Sequence, residues 1–280
     1  MKQAIPIPTL HLFPKLNDLL VSLLRSLSPD DWNKPTLAKQ WTVKDVAAHL
    51  LDTNMRSIAS ANGHEIAPDR EIKSYRDLVD YLNDLNNTWV RAMRRVSPLQ
   101  LTDLLKNTNR GYVDYYHSLD LFTPAKYSVA WAGEDLSLNW FHIARDYTEK
   151  WHHQQQIREA VGQTAPLMTR ELFYPCIDTF MRGLPHTYRD TKADEGTVIY
   201  VNITGDAGGD WYLTKNADNW QLGKTQISQP AASISIDPDI AWRLFTKGVE
   251  QDFAIKKSTI KGNENFAAPL FDMVSVIALR

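Results

Sequence analysis

The spacing of apolar residues changes period once along this chain, and that change limits the folds open to it. Up to about residue 162 apolar positions recur at helical spacing. Beyond Gly162–Pro166 they alternate in short runs bounded by Gly, Asn, Asp and Pro, the pattern of strands. Residues 14–27 place Leu16, Leu19, Leu20, Leu23 and Leu24 at helical spacing, with Pro14 in the first turn, where a missing N–H costs nothing. Thr42-Val-Lys-Asp45 has the form of a capping box and predicts a helix to about Asn62. A third helix is predicted over 74–96, ended by Ser97-Pro98, and a fourth over 137–161, closed by Gly162. The segment 108–133 fits either a short helix or a long loop.

After one more helix over about 168–183, the runs TVIYVNIT (197–204), DWYLTK (210–215) and ASISID (232–237) are predicted strands. Asp237-Pro238 starts a helix that reaches Gly248. A short strand near 259–261, another turn of helix and an apolar strand, MVSVIAL (273–279), complete the reading. The expected fold class is therefore α+β in two domains: a four-helix bundle over 1–165 and a small α+β domain over 166–280.

At 280 residues there is enough chain for two domains, and a hydrophobic fraction of 43% is that of a globular protein. The formal charge of −2, without long runs of one sign, gives no electrostatic reason to expect nucleic acid or an anionic membrane as a partner. Cys176 is the only cysteine, which excludes an internal disulfide and a cysteine-based zinc site; any metal must be held by His and carboxylate. Prolines and polar residues interrupt the N-terminus, so it is not read as a signal peptide. No stretch approaches the about 18 apolar residues that span a bilayer, and a cytoplasmic location is expected.

The fourth helix holds the cluster with the most chemistry. At about 100° per residue, His142, Asp146, Glu149 and His153 share one arc, and Glu149 and His153 lie one turn apart, so both can converge on one ion. A third ligand must come from elsewhere, and His49, in the middle of the second helix, is the best candidate. Two His and one carboxylate leave coordination positions open, as in catalytic sites. The competing reading is plain. His49 lies with Thr42, Asp45, Thr53 and Arg56, opposite Val43, Ala47, Leu50 and Ile58. The Glu149–His153 stripe faces away from Trp140, Ala144, Tyr147 and Trp151. A polar stripe opposite an apolar one is usually a solvated face. Spacing alone leaves both readings open.

The run WTVKDVAAHLLD (41–52), preceded by LSPDDWNKPT, resembles the start of the DinB-like family, in particular its mycothiol-dependent maleylpyruvate isomerase branch. Arg145-Asp146-Tyr147-Thr148-Glu149 with His153 resembles the second metal motif of that branch, an E-x-x-x-H. The C-terminal run ASISIDPDIAWRLFTKG, with IKGNENFAAPLFDMVSVIA, is similar to the sterol-carrier-like domain that accompanies the bundle. The resemblance implies metal ligands at His49, Glu149 and His153. It also implies a divalent ion, zinc first and Ni²⁺ or Mn²⁺ as other occupants. Its enzymes use a low-molecular-weight thiol as cosubstrate. Nothing in the sequence selects that thiol, and mycothiol, bacillithiol or another are open.

The function expected from this is a metal-dependent enzyme that activates a thiol for transfer to, or isomerisation of, a small electrophile. A hydrolase activating water at the same ion is one alternative; a metal-stabilised binding or regulatory protein without catalysis is another. The partners expected are the small-molecule substrate and the thiol, for a monomer or homodimer. Arg243 is the candidate to hold an anionic substrate, against a helix-surface salt bridge. His152 points about 100° from His153 and reads as a surface or supporting residue. His142 reads as a substitute ligand or a solvent-facing residue, and Asp146 as an acceptor for a ligand imidazole or a surface carboxylate. Cys176 reads as a small buried side chain, and Arg91, Arg94 and Arg95 as a solvated face.

Overall fold

A computed structural model describes residues 6–64 and 67–277. The chain forms two compact units, one built mainly of 8–121 and 149–167, the other mainly of 122–148 and 168–277.

The first unit is helical. Helix α1 (Phe13–Ser26) buries Leu16, Leu20, Leu23 and Leu24 of the stripe read from the sequence and leaves Leu19 half-buried. Helix α2 (Val43–Ala61) starts at the expected capping box, with Thr42 Oγ1 accepting from the Asp45 N–H and the Asp45 carboxylate from the Thr42 N–H. Helix α3 (Tyr75–Met93) follows. Ser97-Pro98 both ends that helical run and starts the next. Ser97 caps helix α4 (Pro98–His117) in a second capping box, with Gln100, and Pro98 sits in its first turn. The open segment 108–133 is thus the second half of α4, then a loop with one 3₁₀ turn at Ala130–Ala132. Helix α5 (Asn139–Ala160) ends where Gly162 takes a φ of 73°, the left-handed conformation that a C-terminal glycine supplies. Helix α2 packs on α3 and α4, and α1 on α4. Val43, Val46, Ala47, Leu50, Leu101, Leu105 and Ile157 lie in one apolar core.

The boundary between the units falls inside α5, between Thr148 and Glu149. None of residues 149–158 is exposed, although Lys150, His152, His153, Gln154, Gln155, Gln156 and Arg158 are all polar. The two cations among them are met within the unit. Lys150 Nζ donates to Leu50 O at 2.9 Å and Asn54 Oδ1 at 2.5 Å, and Arg158 donates to Leu19 O at 3.0 Å and Gln163 O at 3.2 Å. Buried charge on a helix is tolerated only when it is partnered in this way.

The second unit is α+β. Helix α6 (Arg170–Met181) and the short α7 (Leu184–Thr187) precede strands β1 (Val198–Ile203), β2 (Gly209–Lys215), β3 (Trp220–Gly223) and β4 (Ala232–Ile236). Helix α8 (Pro238–Phe245), helix α9 (Gln251–Lys257), strand β5 (Thr259–Gly262) and helix α10 (Glu264–Phe271) complete it. The sheet order is β3-β2-β1-β4-β5, mixed because β1 and β4 run parallel while the other neighbours are antiparallel. In β4, Ala232, Ile234 and Ile236 are buried and Ser233 and Ser235 half-buried, the period-2 pattern that marked the strand. Several elements went unread, among them the first half of α4, the short α7, β3 and α9. Strand β3 has four residues, too few to show alternation, and α9 has no side-chain cap at Glu250. One expectation is corrected: residues 273–277 are not a strand, and 278–279 lie outside the described residues. Ser275 N–H instead donates to Phe245 O at 2.9 Å, and Met273 N–H to Leu270 O at 3.2 Å, so the segment packs on helices rather than on a ladder. Among the described residues no helix is long and apolar enough to cross a membrane.

Candidate metal centre

The capping box sets the phase of α2, and two turns on it places His49 on the side that meets α5. His49 and His153 rings lie 4.7 Å apart, centroid to centroid, at 75°. Both are buried, 7% and 9% exposed, so these stripes do not form a solvated face. Lys150 explains the register between the helices. Its ammonium is held by Leu50 and Asn54 of α2 and lies 4.4 Å over the Tyr112 ring of α4. Asn54 in turn donates to Thr108 Oγ1 at 2.9 Å and Asn109 Oδ1 at 3.0 Å.

His153 Nε2 is 3.6 Å from Glu149 Oε2, while its Nδ1 is 2.9 Å from Gln156 Oε1. The amide oxygen can accept from Nδ1–H, and Nε2 is the nitrogen on the Glu149 side. Ligand atoms of Glu149, His152 and His153 all lie within 4.8 Å of one another, the group of such donors found among the described residues. The His152 ring is 4.0 Å from that of His153. Sequence spacing had set His152 aside; the structure brings it into the cluster, 4% exposed. Trp41, just before the α2 cap, walls the site with its ring 4.9 Å from His49 and 6.3 Å from His153. Neither Trp41 nor Gln156 was singled out from the sequence. Gln156 is three residues from His153, one turn, which is the one signal that could have found it.

Burial, reinforced by the nearby His153, Arg56 and His152 and opposed by Glu149, holds His49 well below the usual imidazole range. His49 is therefore neutral at pH 7, the form that binds metals, and its buried Nδ1 has no hydrogen-bond partner among the described residues. One helical turn on, burial raises the Asp52 carboxyl, against an ion pair with Arg56 at 2.7 Å. The donors that converge are Glu149, His152 and His153; His49 lies outside that group, its ring beside His153 and its Nδ1 unmet among the described residues. Imidazoles with a carboxylate are the donor set of a divalent ion of the zinc type.

The other singled-out residues lie as follows. His142 is buried with Arg145 Nη2 3.1 Å from its Nδ1, and burial with the Arg145 charge takes its pKa down to about 4. Asp146 pairs with Arg145 at 3.4 Å, and Gln156 is the acceptor beside His153. Arg243, on α8 of the other unit, forms an ion pair with Asp239 at 2.7 Å and lies 5.7 Å over the Trp242 ring. Cys176 is fully buried, as expected. Arg94 lies on an exposed face, as expected, but reaches Asp45 through two contacts of 3.0 Å.

No curated protein matches this chain. Among solved structures, a histidine-to-alanine mutant of the mycothiol-dependent maleylpyruvate isomerase is similar at a TM-score of 0.55 and 12% identity, covering 92% of this chain and 93% of that one. The same isomerase without that mutation superposes at a TM-score of 0.48 and 11% identity, over 86% of this chain and 88% of that one. At such identities the first match speaks for the fold. The sequence family described as the mycothiol maleylpyruvate isomerase N-terminal domain matches residues 13–158, which is more than half of the chain and includes His49, Glu149 and His153. The chain belongs to that family.

Proposed function

We propose that this protein is a metal-dependent enzyme that activates a low-molecular-weight thiol and directs it at a small electrophile, as a transferase or an isomerase. The observation that carries the reading is the buried cluster of Glu149, His152 and His153 with His49 across from it, in a chain of this family. In this reading His49, Glu149 and His153 hold the ion. A bound divalent ion supplies the positive charge that favours the thiolate over the thiol at neutral pH. Gln156 orients the His153 ring with Nε2 on the Glu149 side, burial keeps His49 neutral, and the Trp41 indole excludes water from one side. His152 is close enough either to complete the ligand set or to accept the thiol proton. Arg243 is assigned the substrate carboxylate, and Asp239 must then share its guanidinium.

Elemental analysis of purified protein tests the first half, with about one divalent ion per chain expected for a three-ligand site. No bound metal after incubation with excess Zn²⁺, Ni²⁺ or Mn²⁺ counts decisively against it. A panel of thiols, glutathione, mycothiol and bacillithiol included, tests the second with a generic electrophile. Turnover that needs both metal and a thiol, and stops on chelation, supports the reading; metal-dependent hydrolysis of an ester or amide with no thiol reactivity replaces it with water activation. His152→Ala that keeps metal but loses turnover marks a proton acceptor, and loss of metal marks a ligand. Arg243→Ala should lower turnover of carboxylate-bearing substrates with metal content unchanged.

A further inference from the structure

The α+β unit has a surface cavity of about 620 Å³ between α6 and the turn that joins β1 to β2, and none of the candidate metal-centre residues lines it. Arg170, Tyr174, Asn202, Gly208, Asp210 and Lys224 are on its walls. Two cations stand over the same aromatic ring: the Arg170 guanidinium carbon is 4.4 Å, and Lys224 Nζ 5.1 Å, from the Tyr174 centroid. Both are fixed from behind. Arg170 uses Nη1 alone, donating to the carbonyls of Asp206 at 3.1 Å and Gly208 at 2.7 Å. Its Nε and Nη2, the edge with two parallel N–H groups, have no partner among the described residues. Lys224 donates to Tyr174 Oη at 3.0 Å, pairs with Asp178 and lies 4.0 Å over the Trp211 ring.

Of the two cations, Lys224 is paired with Asp178, whereas Arg170 meets no carboxylate among the described residues. Asp178 is buried and divides itself between Lys224, Trp211 Nε1 at 2.7 Å and Arg182 at 3.9 Å. Asp210 accepts from Tyr200 Oη at 2.6 Å and Asn202 Nδ2 at 2.8 Å. Among the described residues, neither Asp206 nor Asp210 forms an ion pair with Arg170 or Lys224. The wall opposite α6 is backbone. A Cβ on Gly208 would meet Ile203 O at 1.9 Å, and one on Gly209 the Tyr174 ring at 2.7 Å, so the turn lies directly against that ring. The Tyr174 ring is itself stacked on Trp211 at 5.9 Å.

We propose that this cavity binds the oxyanion, carboxylate or phosphate, of a small molecule, taken by the Nε–Nη2 edge of Arg170 and by Lys224, with Tyr174 as the floor. A planar guanidinium edge matches two oxygens of either group, and an ammonium beside it adds a second charge.

The test is isothermal titration of the full chain at low ionic strength, with inorganic phosphate in one arm and succinate in the other, alongside Trp fluorescence to report on Trp211. Saturable binding of either anion is expected, and which arm responds names the oxyanion. Arg170→Gln and Lys224→Gln should each weaken it about tenfold or more, the loss expected for a charge-assisted hydrogen bond. Because Lys224→Gln unpairs Asp178, Lys224→Arg serves as its check, and it should restore binding. Arg76→Gln, on the exposed face of α3, should leave affinity unchanged. Failure of both anions to bind saturably overturns the proposal, as does equal affinity in the wild type, Arg170→Gln and Lys224→Gln.

Discussion

His153 shows how much one side chain is asked to do. One nitrogen faces Glu149 and the other lies against Gln156, so the ring is held from both sides. Removing such a support costs a metal site roughly 10- to 100-fold in affinity. Gln156→Leu should therefore retain weak binding in a competition titration with a chromogenic chelator, while Glu149→Ala should abolish it. If His152→Ala matches Glu149→Ala in that assay, His152 is a ligand in its own right. His142 makes a separate prediction about pH. Its pKa lies at about 4 in the folded chain against 6.5 for the free side chain, so the unfolded chain takes up the proton first as pH falls. Stability from this residue is fully present above pH about 6.5 and is lost as pH falls toward 4, about 3 kcal/mol in all. Urea unfolding across that window should show the decline, and His142→Gln should flatten it.

At the scale of the element, the two ends that position the site are local devices. Thr42 caps α2 and Asp45 completes the box while also holding Arg94. Thr42→Ala should cost about 1 kcal/mol in chemical denaturation, the usual loss for an N-cap. At the far end of α5, Gly162 has a φ of 73° and nothing within 4 Å of an added Cβ. Gly162→Ala should thus destabilise through backbone strain alone, by about 1–2 kcal/mol. An unchanged unfolding midpoint would show that the helix end relaxes. The capping signals were legible because they are written in three or four adjacent residues. Strand β3 was not, since its partner β2 rather than its own short pattern holds Trp220 and Leu222 in register.

For the whole molecule, the expected boundary at 165 and the observed units differ over residues 122–148, which belong with the α+β unit. Tyr147 Oη donates to Leu172 O at 2.8 Å, and the Trp131 ring lies 6.5 Å from that of Phe180. A fragment of residues 1–165 contains every candidate ligand, so it should still bind the ion. It also bares Trp131 and Tyr147, and should aggregate or bind an apolar dye. A folded fragment without metal affinity would place a ligand in the second half of the chain.

Period and punctuation, both local properties, determined α1, α2, α3 and α5 but not α4, most strands of the second half, and the one-turn pairing of Glu149 with His153. They also carried the family motif. What only the tertiary structure decided is what those faces meet. Spacing says which residues share a side of a helix, but whether that side is wet depends on the helix packed against it. By their own pattern the polar stripes of α2 and α5 fit a solvated face as well as a ligand site, and the structure buries His49 and His153 against each other. The same holds for Trp41, His152 and Gln156, whose places follow from how α5 is seated and pinned by Lys150. No stretch of sequence contains that seating, because the groups that fix it, Leu50, Asn54 and Tyr112, come from two other helices.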